Sequence, residues 1–328
     1  MNRANTSQSA RGWIPTYIAL GIVWGASFLF IEKSLTFLTP SGVAFLRCFL
    51  GAVSLWFVLI IKKSKVKFNL ILLFQLWIVG LFLNVLPGIL FAFAQERVSS
   101  ILAGIFNALT PIMSVVMILI VFRNEKLTAN RIVGICLGFL GVLVVLLIGS
   151  NVGQLSWSAI IALVGAVLCY GISYPFTTKY IIPRQLQPEV LATTQVTLSA
   201  VTLFPLFLYH GITSYNPSLS AIFSIFALGF LGTGIAYIWN FTNVALAGAS
   251  LASTVTYITP LVAVALGFLL LGEPLSWNEP VGGLIVLVES EIPQRSNHGN
   301  SCQYISRTSF CGPSSTFWWI PRSNECEI

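Results

Sequence analysis

The fold this sequence predicts is an all-α integral membrane bundle of ten helices, made of two inverted five-helix repeats. Three observations predict it. Apolar runs recur with almost no charge inside them, the basic residues collect in the short breaks between the runs, and part of the pattern is written twice. Across 328 residues only 8% are charged and 56% are hydrophobic, with a mean hydropathy of +0.88. A soluble domain of this length does not carry that balance. Trp13 to Ile31, Phe68 to Gln95, Val98 to Phe122 and Ile132 to Thr178 hold no charged residue, and Val190 to Gly272 holds only His210. A bilayer-spanning helix needs about 20 mostly apolar residues.

In chain order the spans are expected near residues 13–35, 40–61, 69–94, 98–121, 131–150, 156–178, 189–209, 218–241 and 248–271, with a tenth starting near 279. Breaks rich in Pro, Lys, Asn and Ser separate them: Leu38-Thr39-Pro40, the Lys62 to Lys67 cluster, Arg123 to Asn130, Ser150 to Leu155, Pro183 to Pro188, and Tyr215-Asn216-Pro217. Orientation follows from the cations. With the N-terminus inside, the inner segments carry Arg3, Arg11, Lys62, Lys63, Lys65, Lys67, Arg123, Lys126, Arg131, Lys179 and Arg184, whereas the outer loops carry Lys33 and Arg97. Eleven against two is the bias of a cytoplasmic N-terminus. The expected location is the cytoplasmic membrane, crossed many times.

The net charge of +7 does not point to nucleic acid, because the cations sit in separate short loops and form no continuous basic face. The six cysteines show no zinc-site or disulfide spacing. No P-loop is present, Asp is absent, and the two histidines lie in a loop and a tail. No enzyme constellation, metal or cofactor is therefore expected. The partners expected are a small-molecule solute and the lipid bilayer, and self-association as a homodimer is left open.

The duplication is read from a shared offset. Trp24-Gly25-Ala26-Ser27-Phe28 through Lys33 aligns with Tyr170-Gly171-Ile172-Ser173-Tyr174 through Lys179. Ala103, Thr110 and Pro111 align with Ala252, Thr259 and Pro260, and Glu125, Leu127, Asn130, Val133 and Gly134 with Glu273, Leu275, Asn278, Val281 and Gly282. The offset stays between 146 and 149. A five-helix unit inverts its second copy, so residues 13–150 and 156–288 are expected to form inverted repeats. Secondary transporters use that symmetry, with the solute site near the bilayer midplane at the repeat interface.

At these residues the chain resembles EamA-type proteins of the drug/metabolite transporter superfamily. The resemblance rests on Trp24 to Phe28, on Phe45-Leu46-Arg47-Cys48-Phe49-Leu50-Gly51-Ala52, on Ala103 to Pro111, on the Glu125 to Gly141 stretch, and on the second-half counterparts. It covers about residues 13–288 and implies an inner-membrane carrier. Such carriers are often exporters of amino acids or other small metabolites, with a central cavity lined by both repeats.

Candidate site residues follow from polarity inside apolar spans. Arg47 is the one charge well inside a predicted helix, and its burial requires a partner or water. It either contacts an anion, gates with Glu32, or holds the fold through backbone carbonyls. Gln195 at its repeat counterpart favours the structural role. Glu32, near the outer end of the first helix, is either a proton-coupling carboxylate or an interfacial anchor. Pro111 and Pro260 each remove a helix hydrogen bond and so free the carbonyls of Asn107 and Thr256. Freed carbonyls at membrane depth line a watery cavity or are met by a neighbouring helix. Pro87-Gly88, with Asn84 one turn earlier, offers a third break. Trp24, Tyr170, Tyr174, Tyr237, Asn240 and Tyr257 bring polar edges into the spans, and about half are expected to face a cavity. Ser27, beside Trp24 in the repeated motif, completes the set. Gly21/Gly25 and Gly134/Gly138 have the spacing of close helix contacts.

The tail departs from this pattern. Where the repeat demands a small apolar residue at position 289, the chain reads Glu289-Ser290-Glu291-Ile292-Pro293-Gln294-Arg295, which truncates the tenth helix. Residues 289–328 then hold four acids, three Arg and three of the six Cys without periodicity. A frameshifted tail is expected, with a genuine soluble tail as the alternative; one inserted or deleted base that restores an apolar run would settle it. Three functional readings stand beside each other. They are a carrier exporting or exchanging a small metabolite by alternating access, a non-functional frameshifted relic of one, and a non-transporting receptor or scaffold. A lipid-acting membrane enzyme lacks the acid, base or metal residues it needs.

Overall fold

A computed structural model describes residues 14–64, 69–122, 156–273 and 281. Eight of its helices are long and apolar enough to cross a membrane: α1 Ile14–Ser34, α2 Pro40–Lys62, α3 Leu70–Gln95, α4 Ser100–Val121, α5 Trp157–Arg184, α6 Pro188–His210, α7 Leu219–Ala249 and α8 Thr254–Leu271. The chain is an all-α membrane protein, with no strand among the described residues. The expected spans at 131–150 and from 279 onward, Gly134/Gly138 and the tail from 289 lie outside the described residues, apart from Val281.

In hydrocarbon every backbone amide must be satisfied within its own segment, so uninterrupted apolar runs become helices. Their starts are written in the sequence. The side chains of Thr39, Asn69, Ser99 and Ser218 accept from Gly42 N, Ile71 N, Leu102 N and Ala221 N, capping α2, α3, α4 and α7. Pro40 and Pro188 open α2 and α6, where a missing amide costs nothing. Two ends differ from expectation. The fifth described helix continues past Thr178 to Arg184, because a π-helical segment Thr177–Ile181 carries it on. The α7 run extends to Ala249 rather than 241, and the chain turns at Gly248, whose φ of 81° only glycine adopts readily.

Large apolar side chains such as Ile60, Ile61, Leu70, Ile161, Val201, Leu208 and Leu269 point outward and are mostly exposed. In water that would be an aggregation surface; on this protein it is the face presented to lipid. The interior is packed through small residues, as bilayer helices require. A Cβ on Gly25 would meet Val262 at 2.6 Å and the Thr259 carbonyl at 2.9 Å, and one on Gly21 would meet Ile258. A Cβ on Gly171 would meet the Met113 backbone at 2.8 Å. Gly171 is the sequence counterpart of Gly25, and Val262 lies 149 positions after Met113. The same exchange recurs at α2 and α6. Gly229 rests on Leu50 and on the Arg47 carbonyl, and Gly80 on Ser199 and on the Gln195 carbonyl. The π-helical segments repeat it too, with Ile118–Phe122 and Gly267–Leu271 at one offset.

Contacts between the halves also tie both ends of the bundle. At one end Leu38 and Ile212 form an isolated antiparallel bridge, and the Glu273 carboxylate sits on the start of α4. There it accepts from Ser100 N at 2.9 Å, Ile101 N at 3.2 Å and Ser100 Oγ at 3.0 Å. At the other end Lys62 pairs with Glu189 at 3.2 Å, and Arg184 donates to Gln75 at 2.6 Å.

Candidate functional site

A small cavity, partly open to its surroundings, lies between the halves. From the first half α1 presents Trp24 and Ser27, α2 Arg47 and α4 Asn107; from the second, α5 presents Tyr170 and Tyr174, α7 Tyr237 and α8 Thr256. Phe28, Ile31, Leu83 and Phe91 complete its wall. Apart from Phe28, which belongs to the repeated motif, these carry no sequence signal, since an apolar residue in an apolar span is indistinguishable from core or lipid-facing neighbours.

Aromatic rings form the body of the site. Trp24 meets Tyr237 edge-on with centroids 6.0 Å apart, Phe91 stacks on Tyr170 at 5.9 Å, and Phe28 meets Phe91 at 5.5 Å. Most of their polar edges are used by the protein. Trp24 Nε1 donates to the Gly232 carbonyl at 3.1 Å, Tyr174 to Asn240 Oδ1 at 3.2 Å, and Tyr237 to the Leu83 carbonyl at 3.0 Å. That last bond answers the Pro87 break, since Pro87 cannot bond the carbonyl of Leu83.

The other two proline breaks are repaired differently. Thr110 Oγ1 donates to the Asn107 carbonyl and Thr259 Oγ1 to the Thr256 carbonyl, both at 2.7 Å. Each repair comes from the residue before the proline, and neither freed carbonyl is left for a solute. Asn107 Nδ2 then donates to Thr259 Oγ1 at 3.0 Å, joining the two breaks.

Several expected site residues stand outside the cavity wall. Pro111 and Pro260 are buried in their helices, and Tyr257 packs in a cluster with Phe106 and Met113. Asn240 serves Tyr174. Asn84 donates to Ser199 at 3.3 Å, with its Oδ1 buried and unpartnered. Glu32 lies near the C-terminal end of α1 with Oε2 buried and unpartnered, and makes no ion pair with Arg47. The only ion pairs among the described residues are Lys62–Glu189 and Glu96–Arg97.

Arg47 is buried and its Nε donates to Thr233 Oγ1 at 3.1 Å. Thr233 lies 149 positions after Asn84, and Gln195 is the counterpart of Arg47. One half therefore sets a guanidinium beside a threonine where the other sets a neutral amide near an asparagine. Gln195 is fully buried, with both amide atoms unpartnered. No group of three or more metal-binding side chains occurs among the described residues.

Known proteins share this architecture. The profile of the EamA-like transporter family matches residues 11–147 and again 157–288. An uncharacterized transporter of Archaeoglobus fulgidus is 31% identical over 273 residues, covering 81% of this chain and 92% of that protein. The uncharacterized inner membrane transporter YedA of Escherichia coli is 29% identical over 264 residues, 79% of this chain and 82% of that one. A solved crystal structure of a protein aligns with a TM-score of 0.64 at 16% identity, over 85% of this chain and 96% of the other, a likeness of fold.

Proposed function

Because this chain belongs to the EamA-like transporter family, we propose that it is a secondary carrier that exports or exchanges a small metabolite across the cytoplasmic membrane by alternating access. One observation carries the reading: a single aromatic cavity takes its wall from both halves of the chain. A site so placed is exposed to one side or the other by rocking one half against its partner. The exchanged contacts, Gly25 on Val262 against Gly171 on Met113 and Gly229 on Arg47 against Gly80 on Gln195, support two inverted repeats within 13–150 and 156–288. The resemblance admits amino acids and other small metabolites as the solute class.

The test is counterflow into proteoliposomes with a panel of carboxylates, zwitterions and amines. Saturable, solute-specific flux is the expected result, and its absence across the panel defeats the carrier reading in favour of a receptor or scaffold.

The orientation is part of the proposal. The N-terminus, the Lys62 end of α2 and the Arg184–Glu189 turn face the cytoplasm, and the bridge of Leu38 with Ile212 faces outward. In intact cells Thr36→Cys is expected to react with a membrane-impermeant maleimide, and Ser64→Cys only after permeabilisation. The reverse pattern inverts the assignment.

A further inference from the structure

Resting on the carrier reading, we propose that the solute is an organic monoanion, a carboxylate on a flat apolar body, rather than an amino acid or an amine. The argument begins with Arg47. Its side chain is buried and has a single neutral partner, Thr233 Oγ1. A guanidinium taken out of water without an opposing charge is costly, and both terminal nitrogens remain without a protein acceptor. None of the described residues that line the cavity is an acid. The missing negative charge is thus one that a solute brings with it.

The remaining donors narrow the chemistry. Trp24, Tyr174 and Tyr237 give their protons to protein acceptors. Ser27 Oγ and Thr256 Oγ1 give theirs to backbone carbonyls of Val23 and Ser253. Among the described lining residues, the Tyr170 hydroxyl, the second N–H of Asn107 Nδ2 and the terminal nitrogens of Arg47 are uncommitted. A fork of N–H groups in one cavity with further N–H and O–H donors fits a carboxylate, which accepts at both oxygens. The rings of Phe91, Tyr170, Trp24 and Tyr237 supply faces and edges for a flat apolar body. They would also attract a cation, but Arg47 repels one. A zwitterion would set its ammonium among neutral hydroxyl and amide oxygens with no carboxylate to balance it.

The repeat supplies the variant for the test. Gln195 occupies the register of Arg47 in the other half, so the fold accommodates glutamine on this kind of helix face. The experiment uses the full chain in lipid nanodiscs and in proteoliposomes, with radiolabelled benzoate, phenylalanine and benzylamine as probes. Benzoate is expected to bind and exchange at least about tenfold more tightly than the other two, a difference read directly as Kd. Arg47→Gln is expected to weaken benzoate by about tenfold or more and to leave benzylamine no weaker, while Arg47→Lys retains part of the affinity. If phenylalanine or benzylamine matches benzoate, or Arg47→Gln leaves benzoate unchanged, the anion assignment is overturned while the carrier reading stands. If none of the three classes binds or moves, the carrier reading itself falls. Should Arg47→Gln not fold, the ranking on the unaltered protein and the Arg47→Lys variant still decide.

Discussion

Gly171→Val is expected to abolish recovery of folded protein. The Cβ that valine adds would stand 2.8 Å from both the carbonyl carbon and the oxygen of Met113. Main chain cannot swing aside as a flexible side chain can, so α5 must separate from α4 along its length. Overpacking of a core costs about 1–3 kcal/mol when side chains can yield, and more when backbone must. Gly165→Ala, on the same helix, is the control: its Cβ would meet only Leu90 Cδ1 at 3.5 Å, an ordinary contact. Monodisperse yield after detergent extraction, followed by fluorescence-detected size exclusion, separates the two. A normal peak for Gly171→Val would mean that α5 and α4 do not pack this closely.

Glu273→Ala is expected to lower the melting temperature in detergent without destroying the fold. The carboxylate accepts from two backbone amides at the start of α4, where the helix dipole favours negative charge, and from the Ser100 hydroxyl. Its partial exposure discounts the gain, and the loss is about 1–3 kcal/mol. Glu273→Gln, which keeps the shape and one acceptor, should fall between. An unchanged melting temperature for Glu273→Ala would show that the cap contributes nothing.

Both residues show where the sequence informs and where it stops. The spans were legible because hydrocarbon allows few backbone solutions, so charge-free runs and the residues that cap them mark their own ends. The regular offset was legible because Thr110-Pro111 and Thr259-Pro260 are rare enough pairs to be matched by eye. What Glu273 touches was not legible. It aligns with Glu125, but its partners stand 172 and 173 residues away, a distance no local pattern encodes. The cavity was legible only in part. Trp24, Arg47, Asn107, Tyr170, Tyr174 and Tyr237 declare themselves by polarity, whereas Phe28, Leu83 and Phe91 do not. Polarity also misled. Asn84 and Asn240 are polar residues in apolar spans whose places are outside the cavity wall, because buried polar groups seek one another as readily as they seek a ligand.

The threonines that precede Pro111 and Pro260 bear on the energetics of motion. Each donates its hydroxyl to the carbonyl that its own proline has stripped of a partner, three residues back in the same helix. Donor and acceptor therefore travel together. When a helix flexes at such a joint that bond moves with it, while the bond from Asn107 Nδ2 to Thr259 Oγ1 ties the α8 joint to the one in α4. For the alternating-access carrier proposed above, a repair carried within the helix would leave the balance between the two arrangements to the cargo.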